Sequence, residues 1–264
     1  PTLNVATTPT LASTDKNRYK SVSFFGRLSY NYGEKYLLNA SVRRDGSSRF
    51  GTNNKWGVFP AVSAGWKINE ESFLKPVRWI SLLKVRAAWG SAGNDRIGNY
   101  DYMARLAINN ASWGGAVVPG LVPSNIENPD LKWEATQTTD LGLDFSGFNN
   151  RLQISVDYYL NNTKNLLFNV PIPTTTGFSS FRTNLGEVQN TGWEVDITTV
   201  NTPGKVRWTT SVNLSTNRNK VINMGNIDQF TSASWDAQFI TRVGGPVAQY
   251  YVYRTNGLLS ADDF

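Results

Sequence analysis

The sequence predicts an all-β fold: an antiparallel up-and-down transmembrane β-barrel, present only in part, with roughly eight or nine strands in an open or incomplete wall. Three observations predict it. Apolar and polar residues alternate with period two in segment after segment. Several of these segments exceed the usual ~5–6 residues of a soluble strand and suit the ~9–11 needed to cross a bilayer. The connections are short or medium at 33–35, 69–81, 147–151 and 201–205, but long at 45–57, 91–132, 163–184 and 219–247. Turns at one end and long loops at the other is the asymmetry of outer-membrane barrels.

The first segment sets Val22, Phe24, Leu28, Tyr30 and Tyr32 against Ser23, Arg27, Ser29 and Asn31. After Gly33-Glu34-Lys35 the pattern restarts, with Tyr36, Leu38, Ala40 and Val42 opposite Asn39, Ser41 and Arg43, which predicts a hairpin. The third sets Val62, Ala64 and Trp66 against Ser63 and Lys67, and the fourth Leu83, Val85 and Trp89 against Lys84 and Arg86. The fifth sets Leu141, Leu143 and Phe145 against Asp140 and Asp144. In the sixth, Ile154, Val156 and Tyr158 oppose Ser155, Asp157 and Tyr159. The seventh sets Trp193, Val195 and Ile197 against Glu194 and Asp196, and the eighth Trp208, Val212 and Leu214 against Arg207, Ser211 and Asn213. A weaker ninth runs near Gln249 to Arg254.

In a barrel, one face meets lipid and the other a wet interior. The expected lipid-facing residues are Leu28, Leu38, Val42, Val85, Leu143, Ile154, Val156, Val195 and Val212. The expected lumen-facing residues are Arg27, Arg43, Lys84, Arg86, Asp140, Asp144, Asp157, Glu194, Asp196 and Arg207. Periodicity alone does not separate this from a soluble β-sandwich, a carbohydrate-binding or adhesin module whose polar face meets bulk water. A small complete barrel of about eight strands is the third reading. Strand length, loop asymmetry and aromatics near strand ends (Tyr30, Tyr32, Tyr36, Trp66, Trp89, Trp133, Trp208) favour a membrane wall.

Composition narrows the function. The 264 residues contain neither Cys nor His, which removes disulfides, thiolate metal sites, the usual general base and the Ser-His-Asp triad. No cofactor, metal site or enzymatic role is expected. The mid-strand carboxylates share their face with Arg27, Arg43, Arg86 and Arg207, so charge compensation accounts for them. The net charge of +6 comes from scattered Lys and Arg with no run longer than Arg43-Arg44, and nucleic acid is not expected as a partner. The chain starts at Pro1 without a signal peptide, as expected of a trimmed chain or a piece of a longer one.

The long loops hold the binding candidates: Arg49, Asn94, Asp95, Tyr100, Tyr102 and Trp113. Flat rings beside amides and carboxylates suit sugar or peptide recognition. Each residue taken singly has a plainer role in fastening its loop. For Arg49 that role is an ion pair with Asp45 across a Gly/Ser-rich turn.

The run Tyr36–Gly51, ending Arg43-Arg44-Asp45-Gly46-Ser47-Ser48-Arg49-Phe50-Gly51, resembles a signature of the SusC/RagA family of TonB-dependent outer-membrane transporters of Bacteroidetes-type bacteria. Trp56-Gly57-Val58-Phe59-Pro60, Leu83–Gly90, Asn128-Pro129-Asp130-Leu131-Lys132-Trp133-Glu134, Val156-Asp157-Tyr158-Tyr159, Asn190-Thr191-Gly192-Trp193-Glu194, Gly244-Gly245-Pro246 and Thr255-Asn256-Gly257-Leu258 resemble later parts in the same order. The resemblance implies that residues 1–264 are a partial β-barrel domain lacking the plug, the TonB box and the final strands. Whole transporters of this type have about 22 strands around a plugged lumen. It also implies nutrient import in the outer membrane. A SusD-like surface lipoprotein would cap the loops, the TonB complex would act through the plug, and a glycan or oligopeptide would be the substrate.

Overall fold

A computed structural model describes residues 16–234 and 237–253. In chain order the strands are β1 (Ser21–Tyr32), β2 (Tyr36–Ser47), β3 (Trp56–Lys67), β4 (Ile80–Asn94), β5 (Leu106–Trp113), β6 (Ala116–Pro123), β7 (Glu134–Gly147) and β8 (Leu152–Lys164). Then come β9 (Leu167–Pro171), β10 (Ser180–Asn184), β11 (Glu187–Pro203), β12 (Arg207–Asn223), β13 (Gln229–Ser234), β14 (Ala237–Arg242) and β15 (Gln249–Tyr250). Eight of them form one antiparallel sheet in the order β1-β2-β3-β4-β7-β8-β11-β12. It is an up-and-down wall that does not close, since β1 and β12 are its two ends. Neither a small complete barrel nor a sandwich results. Phe24, Leu28, Leu141, Trp193 and Leu214 on the outward rows are each more than half exposed, and among the described residues no second sheet covers them.

The register carries one set of side chains straight across the wall. Val85 pairs with Leu143, Leu143 with Val156, Val156 with Val195 and Val195 with Leu214. Directly opposed residues share a face, so these five form one apolar row. Period-two alternation makes such a row possible; a one-residue slip in any strand would turn that strand over.

The short connections all lie at one end. Gly33 and Glu34 turn the first hairpin with φ of 58° and 59°. Phe148 takes φ 56° in the β7–β8 turn, a conformation bulky residues rarely adopt, and its ring stacks on Trp79 at 5.2 Å.

At the other end the sheet splays. Pro60 has no N–H to donate, and the β3–β4 ladder stops beside it at Ala61↔Gly90. The Phe59 ring is buried there and meets Trp133 edge-on at 5.4 Å. Beyond it lies a compact core of Phe50, Ile97 and Leu131, packed by Tyr102, Trp133 and Leu167. The main apolar core therefore sits among the long loops. Trp133, expected among the interfacial aromatics, belongs to this core and donates Nε1–H to the Lys55 carbonyl at 3.2 Å.

Two further sequence expectations change. The ninth segment is a two-residue strand, β15, in a small sheet with β13 and β14 outside the wall, and Arg254 lies outside the described residues, as do 255–258. The long connections contain hairpins of their own, β5–β6 and β9–β10. The sequence hides them because Pro119, Gly120 and Pro123 interrupt any alternation in β6.

Candidate functional site

The polar face carries a charge cluster centred on Arg86. In the register Arg86 stands beside Gly142, and Gly142 beside Asp157. A Cβ at position 142 would lie 2.5 Å from both Arg86 Cζ and Asp157 Oδ1, so glycine leaves the space that lets the guanidinium reach across β7. Arg86 donates Nε–H and Nη2–H to Asp144 at 3.0 and 3.1 Å, and Nη2–H to Asp157 Oδ2 at 2.8 Å. Asp140 is 3.6 Å from Nη1, and Lys84 Nζ is 3.3 Å from Asp144. The Ser155 hydroxyl sits between two carboxylates, 3.0 Å from Asp144 Oδ1 and 3.3 Å from Asp157 Oδ2. Two cations thus bind three carboxylates, and the cluster keeps a negative excess.

Glu194 extends that excess, because it stands directly opposite Asp157. Asp196 accepts from the Asn213 amide. Arg27 donates to Asn39 at 3.2 Å, Arg43 pairs with Asp45 at 2.7 Å, and Arg207 is exposed near the β11–β12 turn. All ten charged candidates fall on one face of the sheet, and the nine apolar candidates fall on the other.

The loop candidates separate into two groups. Arg49 does not meet Asp45, which Arg43 already holds. Arg49 reaches the next loop, donating to the Asp95 carbonyl at 3.0 Å and to Asn99 at 3.1 Å, with its carboxylate contact to Asp95 at 3.6 Å. The spacing of an Asp/Gly turn suggested a local pair; β2 instead continues through Ser47 and carries Asp45 into the strand. Asp95 also accepts from Ser47 at 2.7 Å and Tyr19 at 2.9 Å. Asn94 donates to Glu134 at 3.0 Å, Tyr100 to the Arg18 carbonyl at 3.4 Å, and Tyr102 packs on the loop core. Asn94 ties the end of β4 to the start of β7, and the other four fasten the loop end. Trp113 differs: it is 80% exposed at the tip of the β5–β6 hairpin.

Two residues that organise this end were not among the binding candidates: Asp101 gave no sequence signal, and Glu134 stood out only as the last residue of a family-like run. Asp101 joins β10 to the β4–β5 connection by accepting from Arg182 at 2.7 Å, and Glu134 accepts from the Leu167 N–H at 3.2 Å. Beside Glu134 opens a cavity of about 440 Å³ lined mainly by apolar side chains, among them Leu167, Phe168, Leu185, Val221, Met224 and Phe230.

At the short-turn end, Glu71 accepts from Lys35 Nζ at 2.9 Å, Tyr36 at 2.8 Å and the Trp66 indole at 3.2 Å. These donors, Lys35 foremost, hold its carboxyl at about 2, below the ordinary 4.5. Because the folded-state value is lowered, the stabilisation is complete above about 4.5 and is lost as pH falls toward 2. Glu71→Gln is expected to flatten the fall of the unfolding midpoint across that interval. An unchanged pH profile would show that the clamp contributes nothing.

The comparisons with known proteins agree with this architecture. Residues 1–257 match the family model described as TonB dependent receptor-like, beta-barrel. TonB-dependent receptor P39 of Formosa agariphila is 41% identical over 251 residues, 95% of this chain and 24% of that protein. TonB-dependent receptor SusC of Bacteroides thetaiotaomicron is 39% identical over 207 residues, 76% of this chain and 20% of that protein. Among solved structures, the RagAB peptide transporter superposes with a TM-score of 0.79 at 32% identity, covering 88% of this chain and 25% of that one. The chain thus spans about a quarter of the length of these relatives. With the eight-stranded wall, its two-sided register and this match on the page, the chain belongs to the TonB-dependent receptor-like β-barrel family.

Proposed function

We propose that this chain is a section of the barrel wall of a nutrient importer in the outer membrane of a Bacteroidetes-type bacterium. The observation that carries the reading is the apolar row that the register extends over all eight strands, from Tyr32, Tyr36 and Trp66 to the five residues ending at Leu214. A patch of that size is unstable in water and stable against hydrocarbon. Twelve residues at about 3.3 Å each, tilted by about 40°, cover the ~30 Å of a bilayer core. Strands β1, β2 and β3 have that length, while β11 and β12, with 17 residues each, project beyond it.

On this reading the ten charged side chains line the lumen, the nine apolar ones touch lipid, and the long loops face outward. A plug elsewhere in the whole protein couples the lumen to TonB. The wall supplies fixed charges and outer loops. A SusD-like lipoprotein caps those loops, and the cargo is a glycan or an oligopeptide. The names of the relatives SusC and the RagAB peptide transporter support this assignment. The β5–β6 hairpin suits the lipoprotein contact, because Ile108, Trp113, Val117 and Leu121 are all exposed on it. Trp113→Ala is expected to reduce the lipoprotein that co-purifies with the intact protein. Unchanged co-purification would remove the hairpin from that interface.

These 264 residues contain no cysteine, so a single cysteine introduced among them reports the topology of this section. In intact cells a membrane-impermeant maleimide should label Trp113→Cys and spare Glu34→Cys. Glu34→Cys should react once the envelope is opened, and Leu143→Cys should resist in both conditions. Labelling of Leu143→Cys at the rate of Trp113→Cys would rule out the lipid-facing assignment.

A further inference from the structure

We propose that the outward face at the long-loop end binds the phosphate of an outer-leaflet glycolipid through Arg44; this rests on the membrane-wall reading above. Arg44 breaks the pattern of its row. It pairs with Phe24 on one side and Val58 on the other, so it lies on the apolar face. Every other outward position of β1, β2 and β3 is uncharged. The adjacent Arg43 faces the opposite way and is held by Asp45.

The guanidinium is pre-positioned. Its central carbon lies 4.8 Å from the centroid of the Trp56 ring. That ring stacks with Phe24 at 6.1 Å. It also lies flat on the backbone of Gly46, where a Cβ would come within 2.9 Å of Trp56 Cζ3. Stacking engages the face of a guanidinium and leaves its in-plane N–H donors free. Those donors match two oxygens of a phosphate.

A second cation, Lys20, lies farther toward the loop end, about 13 Å along the strand from the level of Arg44. Lys20 exchanges hydrogen bonds with Ser48, its N–H to Oγ at 2.9 Å and its carbonyl from the Ser48 N–H at 3.0 Å, which continues the β1–β2 register and puts Lys20 on the same face. Among the described residues neither Lys20 nor Arg44 makes an ion pair. Two uncompensated cations thus border the apolar rows of Phe24, Val42 and Val58, and a phosphate attached to acyl chains satisfies both features at once. A free phosphate would use only the cations.

The test is a native mass-spectrometry titration of the intact protein in detergent with lipid A, either phosphorylated or enzymatically dephosphorylated. The wild type is expected to prefer the phosphorylated form by about tenfold or more, and Arg44→Gln to abolish the preference. Gly46→Ala should weaken it by displacing Trp56. An undiminished preference in Arg44→Gln, with normal insertion into vesicles, overturns the phosphate site and leaves the wall reading standing. Displacement of lipid A by millimolar inorganic phosphate overturns it in favour of a simple anion site. Failure of the wild type to insert overturns both.

Discussion

Arginine in place of Val156 is expected to destabilise the bilayer-embedded protein by about 2–4 kcal/mol, the cost of a cation on the lipid face near the midplane. Val156 is the fifth residue of β8, close to halfway through the ~9–11 residues that cross a bilayer. Leu143 and Val195 flank it in the register, so on the proposed membrane-wall reading lipid lies on the only side open to the new side chain. Arginine at Ser215 is the control. That residue is exposed, on the polar face, and directly opposite Glu194, so the new charge gains a partner and should cost little. Ser155 is unsuitable as a control because its hydroxyl already serves Arg86, Asp144 and Asp157. Urea unfolding in lipid vesicles measures both variants. Equal losses at positions 156 and 215 would mean that the two faces meet the same environment.

Replacing Arg86 with leucine is expected to cost about 2–3 kcal/mol, less than the 3–5 of a fully buried pair because the cluster keeps some contact with solvent. The side chains of Arg86, Asp144 and Asp157 retain 30%, 22% and 18% exposure. Without Arg86, Lys84 alone faces three carboxylates, and Asp144 and Asp157 share Ser155 with no cation between them. Mutual repulsion supplies much of the loss. Adding Asp157→Asn to the Arg86→Leu variant should therefore restore part of the stability, although in the wild-type background it is destabilising. Such non-additivity is the signature of a shared network. Strict additivity in that double-mutant cycle would show that the three carboxylates do not act through Arg86.

Much of the wall was legible in the residues themselves. Alternation fixes which side chains share a face, and Leu143, Val156 and Val195 fall where period two puts them. Strand ends were less legible. The apolar-polar contrast fades at Phe59, which is buried against Trp133, and past Val200, so β3 begins at Trp56 and β11 runs to Pro203, beyond their alternating parts. The carboxylates and cations of the polar face were visible as types. Their grouping around Arg86 was not, because it depends on the small residues Gly142 and Ser155 in neighbouring strands.

The sequence alone determined the period of the wall and which face is apolar, since both follow from local alternation; it left the wall at eight or nine strands, and the structure has eight. Only the tertiary structure decided the partners of the loop residues. Arg49 chose Asp95 over Asp45, 46 residues away rather than four, and Trp133 joined Phe50 and Phe59 in the loop core. The physical reason is range. A strand face is set by neighbours two positions away, whereas a loop contact is set by where distant strand ends happen to converge.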